Sequence, residues 1–176
     1  MRSVLLLLSL SILSFSSCGQ KDKKIVEEKP APQEFVFPEK PIGWVSDFEK
    51  ILTQSQVSYL DSIIQLHEKQ TTNEIAVVTY EPDTSVINTV KDFDKFSSAL
   101  FNKWGVGKKD KNNGVGILIS VKFRKIRIET GLGLETKLTN AESKNIIDTI
   151  ILPEFKKEQY FNGILNGLNA IFKEIE

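Results

Sequence analysis

Two short apolar runs separated by a helical stripe restrict this chain more than any other feature. Residues 73–80 (Asn-Glu-Ile-Ala-Val-Val-Thr-Tyr) and 114–121 (Gly-Val-Gly-Ile-Leu-Ile-Ser-Val) are rich in β-branched side chains. Both are too short and too continuous for a surface helix, so they read as buried strands. Between them, residues 85–103 place Val86, Val90, Phe93, Phe96 and Leu100 on one stripe that continues to Trp104, and Gly105 follows as a C-cap. Strand, helix and strand at this spacing form a parallel pair joined by a crossover.

The flanking segments extend the pattern. Thr53-Gln54-Ser55-Gln56 is a capping box, followed at helical spacing by Val57, Leu60, Ile63, Ile64 and His67, which predicts a helix over 54–70. Residues 125–130 alternate behind a turn at Lys122-Phe123-Arg124 and form a hairpin with 114–121. A second box, Thr139-Asn140-Ala141-Glu142, opens a helix through Ile146, Ile147, Ile150 and Ile151 that Pro153 is expected to stop. A last helix runs from about Glu158, with Phe161, Leu165, Leu168, Ile171, Phe172 and Ile175 facing inward. The expected fold is α/β: a three-layer α/β/α sandwich with a small mixed sheet, a parallel pair plus a β-hairpin, flanked by about four helices.

The N-terminus carries a different signal. After Arg2, residues 4–15 form an uncharged run of the length of a signal-peptide h-region. A membrane span would need roughly 20 apolar residues. The run closes on Phe15-Ser16-Ser17-Cys18-Gly19, which resembles the lipobox cut by bacterial lipoprotein signal peptidase, with Phe15 where Leu is usual. Residues 1–17 are then a signal peptide and Cys18 the lipidated first residue, carrying acyl chains such as palmitate. At about 0.8 kcal/mol per buried methylene, such an anchor holds the chain to the membrane. Gly19 is not the Asp that resembles an inner-membrane retention signal, so the address in a two-membrane host is the outer membrane, outside the cytoplasm. Residues 18–42, with Pro30, Pro32, Pro38 and Pro41 among charges, read as a tether reaching roughly 25 to 30 Å. Within it, Phe35-Val36-Phe37 either belongs to the tether or docks as an edge strand. Residues 43–176 form one domain of ordinary size.

Composition excludes several functions. The chain balances 23 basic against 23 acidic residues, and no basic cluster suits a nucleic acid. Cys18 is its only cysteine, so neither an internal disulfide nor a thiolate metal cluster can form. His67, the single histidine, reads as a boundary residue of its helix, and no triad can be assembled around it.

Candidate chemistry gathers where topology brings two loops to one edge of the sheet. Residues 105–113 enter the second strand, and Thr130-Gly131-Leu132-Gly133 leaves the hairpin at the same end. Asp110, Asn112, Asn113 and Glu129, with backbone carbonyls near Gly105, Gly114, Gly131 and Gly133, are oxygen ligands suited to calcium. Asp110 to Gly114 is not an EF-hand loop: it is one residue short before the glycine, and Val121 stands where a bidentate Glu belongs.

Together these residues resemble the TPM domain, a family named after a thylakoid-lumen protein, a photosystem II repair protein and a nematode receptor-accessory protein. The carriers are Val45-Ser46-Asp47 ahead of Leu52-Thr53, Glu74 to Thr79, Trp104-Gly105-Val106-Gly107, Asn113-Gly114-Val115, and Ile128 to Glu135 ahead of Leu138-Thr139. The resemblance implies an α/β/α fold outside the cytoplasm. It also implies two functional classes, since plant lumenal members are acid phosphatases and some members bind calcium, whereas others are accessory factors for membrane-protein complexes. It marks Asp47 as a further metal ligand, although Asp47 precedes a helix expected to begin at the opposite edge of the sheet. Either the segment to Leu52 crosses back, or Asp47 caps a turn. Two carboxylates usual in the family are Asn112 and Asn140 here, which can ligate calcium but cannot act as acid or base. Lys103, Lys108, Lys109 and Lys111 oppose a cation and would suit a phosphate.

Overall fold

The computed structural model describes residues 35–83 and 89–176, all within one compact unit, Gln33–Glu176. The signal peptide, Cys18 and the first part of the tether lie outside the described residues, as do residues 84–88 with the expected start of the crossover helix. Among the described residues, no helix is long and apolar enough to cross a membrane.

The elements are β1 (Val45–Asp47), α1 (Gln54–Thr71), β2 (Glu74–Thr79), α2 (Val90–Trp104), β3 (Gly114–Ser120), β4 (Lys125–Thr130), α3 (Asn140–Ile146), α4 (Leu152–Phe155) and α5 (Tyr160–Ile175). One sheet has the order β1-β2-β3-β4. The first three strands are parallel, with Val77 opposite Val45 and Glu74 opposite Gly114, and β4 runs antiparallel to β3 with Val115 opposite Thr130. The mixed sheet and the crossover are as the periodicity requires.

Alternation within the strands divides the interior. Ile75, Val77, Val115, Ile117 and Ile128 face a large core with Leu60 and Ile64 of α1, Ile146 of α3, and Ile164, Leu168 and Ile171 of α5. Ala76, Val78 and Leu118 face the other way, onto Phe93, Phe96, Leu100 and Phe101 of α2. With α2 on one face and α1, α3 and α5 on the other, the molecule is a three-layer α/β/α sandwich.

The structure adds to these expectations and corrects some of them. β1 is a strand that the sequence does not announce, because three residues carry too little alternation to read, and it rather than Phe35-Val36-Phe37 forms the edge. The rings of Phe35 and Phe37 instead pack on Phe96 of α2, with centroids 5.4 and 5.0 Å away, and Trp104 Nε1 donates to the carbonyl of Pro38 at 3.2 Å. α2 runs from Val90 behind Thr89, which is extended and forms a capping box with Asp92. Pro153 does not stop the helix: α3 widens into a π turn over Ile147–Ile151 and continues as α4, whose first turn holds Pro153.

His67 is buried and packed, as its place on α1 suggests. Its ring stacks on Phe172 of α5, centroids 4.2 Å apart and 11° from parallel. Among the described residues its Nε2 has no hydrogen-bond partner, and burial lowers the imidazole's pKa from 6.5 against a smaller raising effect of Glu176.

Candidate binding cleft

Parallel β2 and β3 begin where antiparallel β4 ends, so the loops entering the first two meet the loop leaving the third. Asn113 ties them together from a buried position. Its Nδ2 donates to the Thr72 carbonyl at 2.7 Å and to Asn73 Oδ1 at 3.3 Å, and its Oδ1 accepts from the Lys108 N–H at 2.9 Å. Glu74 Oε2 accepts from the Gly107 N–H at 2.9 Å, while Lys108 Nζ stands 3.8 Å from both Glu74 Oε1 and Glu68 Oε1.

The exit loop lies directly on the entry loop. The Gly131 N–H donates to the Gly114 carbonyl at 2.8 Å and the Gly133 N–H to that of Asn112 at 3.0 Å. A Cβ at Gly131 would stand 2.2 Å from the Asn112 oxygen, and one at Gly133 2.1 Å from the Lys111 oxygen. No side chain fits at either position. Leu132 between them is held outward, 72% exposed.

These contacts frame a cleft of about 320 Å³ between α2, the end of β4 and the two loops. Ser98, Asn102, Asn112, Glu129, Thr130 and Glu135 supply its polar lining, and Gly107, Gly114, Gly116 and Gly131 leave it open. Glu129 Oε1 accepts from Arg127 Nε at 2.9 Å, and Asp94 Oδ1 lies 3.9 Å from the same nitrogen. Burial acts to lower the Arg127 pKa, but the hydrogen bond from Arg127 to Glu129 and the charges of Glu129 and Asp94 outweigh it and raise it. Two carboxylates thus share one guanidinium, leaving this trio net negative.

The structure sorts the candidate residues. Asn112, Glu129, Gly114 and Gly131 line the cleft. Asn113 adjoins it but spends its amide on the loops. Gly133 pins the exit loop, and Gly105 is the left-handed C-cap of α2 (φ 69°), lining a neighbouring cavity of about 430 Å³ with Trp44, Glu68 and Glu74. Asp110 is exposed and does not line the cleft. None of the four nearby lysines does either. Lys103 lies over the Phe37 ring and Lys111 donates to Thr72 Oγ1 at 2.9 Å.

Asp47 is at the opposite end of the sheet. Its carboxylate accepts from the Ile51 and Leu52 N–H groups at 3.2 and 2.8 Å and from Thr79 Oγ1 at 2.5 Å. Of the two alternatives, it caps a turn, and it is too far around the sheet to join the loops. Ser98, Asn102 and Glu135 escape sequence reading. The spacing of Ser98 and Asn102, four apart on α2, is the signal that could have found the first two. Among the described residues, no three His, Cys, Asp or Glu side chains converge on a point that could hold a metal.

Fold and site together define a small α/β/α domain with a glycine-floored, oxygen-lined cleft at the end where its parallel strands begin. The TPM domain profile matches residues 45–174, and the chain belongs to the TPM domain family. Among solved structures, it is similar to the N-terminal domain of a protein from P. gingivalis, at 27% identity and a TM-score of 0.64, covering 74% of this chain and 80% of that one. It is also similar to the BA42 protein from the psychrophilic bacterium Bizionia argentinensis (20%, TM-score 0.59, 73% and 83% covered) and to the N-terminal domain of cg2496 from Corynebacterium glutamicum (14%, TM-score 0.56, 82% and 89% covered). The last two carry the fold alone. No curated protein matches significantly.

Proposed function

We propose that this protein is a lipid-anchored TPM-domain protein of the cell envelope that binds a divalent cation, calcium, in the cleft and serves a membrane-protein partner as an accessory module. The observation that carries the binding reading is the lining: Glu129, Glu135, Asn112 and Thr130 present oxygen donors, and no lysine or histidine is among the lining residues. A hard cation prefers such a set. Because few of the donors are charged and Arg127 already occupies Glu129, affinity falls in the weak range of extracellular modules, about 10⁻⁴ to 10⁻³ M. The absence of lysines from the lining disfavours a phosphate ester, and the amides at Asn112 and Asn140 offer no acid or base. Phosphatase activity is therefore the second reading.

The test is a calcium titration of residues 33–176 followed by amide NMR shifts, with a phosphomonoester assay on the same samples. Saturable shifts at Asn112, Glu129 and Gly131, weakened about tenfold or more by Glu129→Gln and untouched by Asp110→Ala, support the site. Shifts confined to the Asp110 loop, or none, refute it. Hydrolysis abolished by Glu129→Gln would establish the second reading.

A further inference from the structure

A larger cavity, about 570 Å³, lies at the far end of the sheet, between the β3–β4 hairpin and the corner where α4 meets α5. Its size is that of a small-molecule site, roughly 300–1,000 Å³. Val121, Ile126, Leu152 and Phe155 form an apolar wall, joined by Tyr160, whose ring meets that of Phe155 edge-on at 5.1 Å. All five are only half-buried. Apolar side chains left facing one concavity are what a folded domain ordinarily covers.

The chain departs from regular geometry to build this wall. The π turn at Ile147–Ile151 takes an extra residue just before α4, and such turns concentrate at functional sites. It resets the helix so that Leu152, Phe155 and Lys156, spaced three and four apart, share the face on the cavity.

Charge at the mouth is specific. Arg124, at the hairpin turn, and Lys156 are exposed beside the wall, and among the described residues neither side chain meets a carboxylate. Neighbouring lysines do: Lys122 pairs with Glu81 and Lys157 with Glu154. Lys125 also borders the cavity, but its amine lies 5.9 Å from the centre of the Phe93 ring. Glu158 is the one acid among the described residues at the mouth, so Arg124 and Lys156 against it leave one net positive charge, before Lys125 is counted.

We propose that this cavity binds an amphipathic anion: a single acyl or aryl group, seated on Val121, Ile126, Leu152 and Phe155, whose terminal carboxylate or phosphate meets Arg124 and Lys156. An apolar wall with unpaired cations at its mouth complements that shape and charge. The site is separate from the cleft and does not depend on calcium.

The test titrates residues 33–176, a unit with its own closed core, with decanoate below its micelle concentration, following amide shifts. Saturable shifts at Val121, Ile126, Leu152 and Tyr160 are expected, with affinity falling about three- to fivefold in each of Arg124→Gln and Lys156→Gln and rising in Glu158→Gln. All three positions are exposed, so the variants keep the fold. Decanol should bind more weakly and ignore these substitutions. Competition by vesicles containing an anionic phospholipid would assign the ligand to the bilayer, and its absence would assign it to a free amphiphile. Shifts that never saturate or fall elsewhere, decanol binding as tightly as decanoate, or unchanged affinity in both cation variants would overturn the proposal.

Discussion

His67 of α1 lies flat on Phe172 of α5, and this stack joins the end of the first helix to the end of the last. The lowered pKa means that the folded state favours neutral imidazole. Its stabilisation is complete above the unfolded-state value of about 6.5 and is lost as pH falls through that value toward the lower folded one. Urea unfolding at stepped pH should therefore show stability declining below about pH 6.5, ahead of carboxylate titration. In His67→Leu that decline should disappear while the carboxylate phase remains. An unchanged profile in the variant would place the proton elsewhere.

Gly133→Ala puts a methyl where the Lys111 carbonyl stands, and Gly131→Ala does the same to Asn112. Each should lower stability by about 1–3 kcal/mol, because the obstacle is backbone and one loop must lift from the other. The urea midpoint should fall with an unchanged slope.

Asn113→Ala leaves the half-buried Lys108 N–H and Thr72 carbonyl without this partner, at a cost of about 1–3 kcal/mol. Asp110→Ala, on the same loop but exposed, should be within about 0.5 kcal/mol of wild type. Thermal melts of the two side by side would separate a loop held by one amide from one held by many weak contacts.

Cys18→Ala should move the protein from the membrane fraction to the soluble one when expressed in its host, since acyl burial provides the attachment in this reading. Retention of the variant in membranes would remove the lipoprotein assignment.

The fold was legible wherever a period persisted. β2, β3 and the crossover helix carry enough apolar residues to declare their type, and capping boxes at Thr53 and Thr139 set helix starts to the residue. β1 was hidden because its pairing with β2 is a tertiary fact about three residues. The π turn was hidden because sequence marks Pro153 as an obstacle without saying how the helix accommodates it. At the cleft, chain topology brought Asn112 and Glu129 to one end of the sheet, but residue type alone could not distinguish a ligand from a structural tie. Asn113 has ligand chemistry and uses it on Thr72, Asn73 and Lys108. Asp47 likewise has a ligand's carboxylate and uses it on a turn at the far end.

Phe35 and Phe37 on Phe96, with Pro38 held by Trp104, give the domain a mechanical handle. A force passed down the chain from the N-terminus meets α2 first, as shear across packed aromatic rings, before it can reach the edge strand β1. If Cys18 is lipidated as proposed, strain on that segment would be delivered to α2, the helix that carries Ser98 and Asn102.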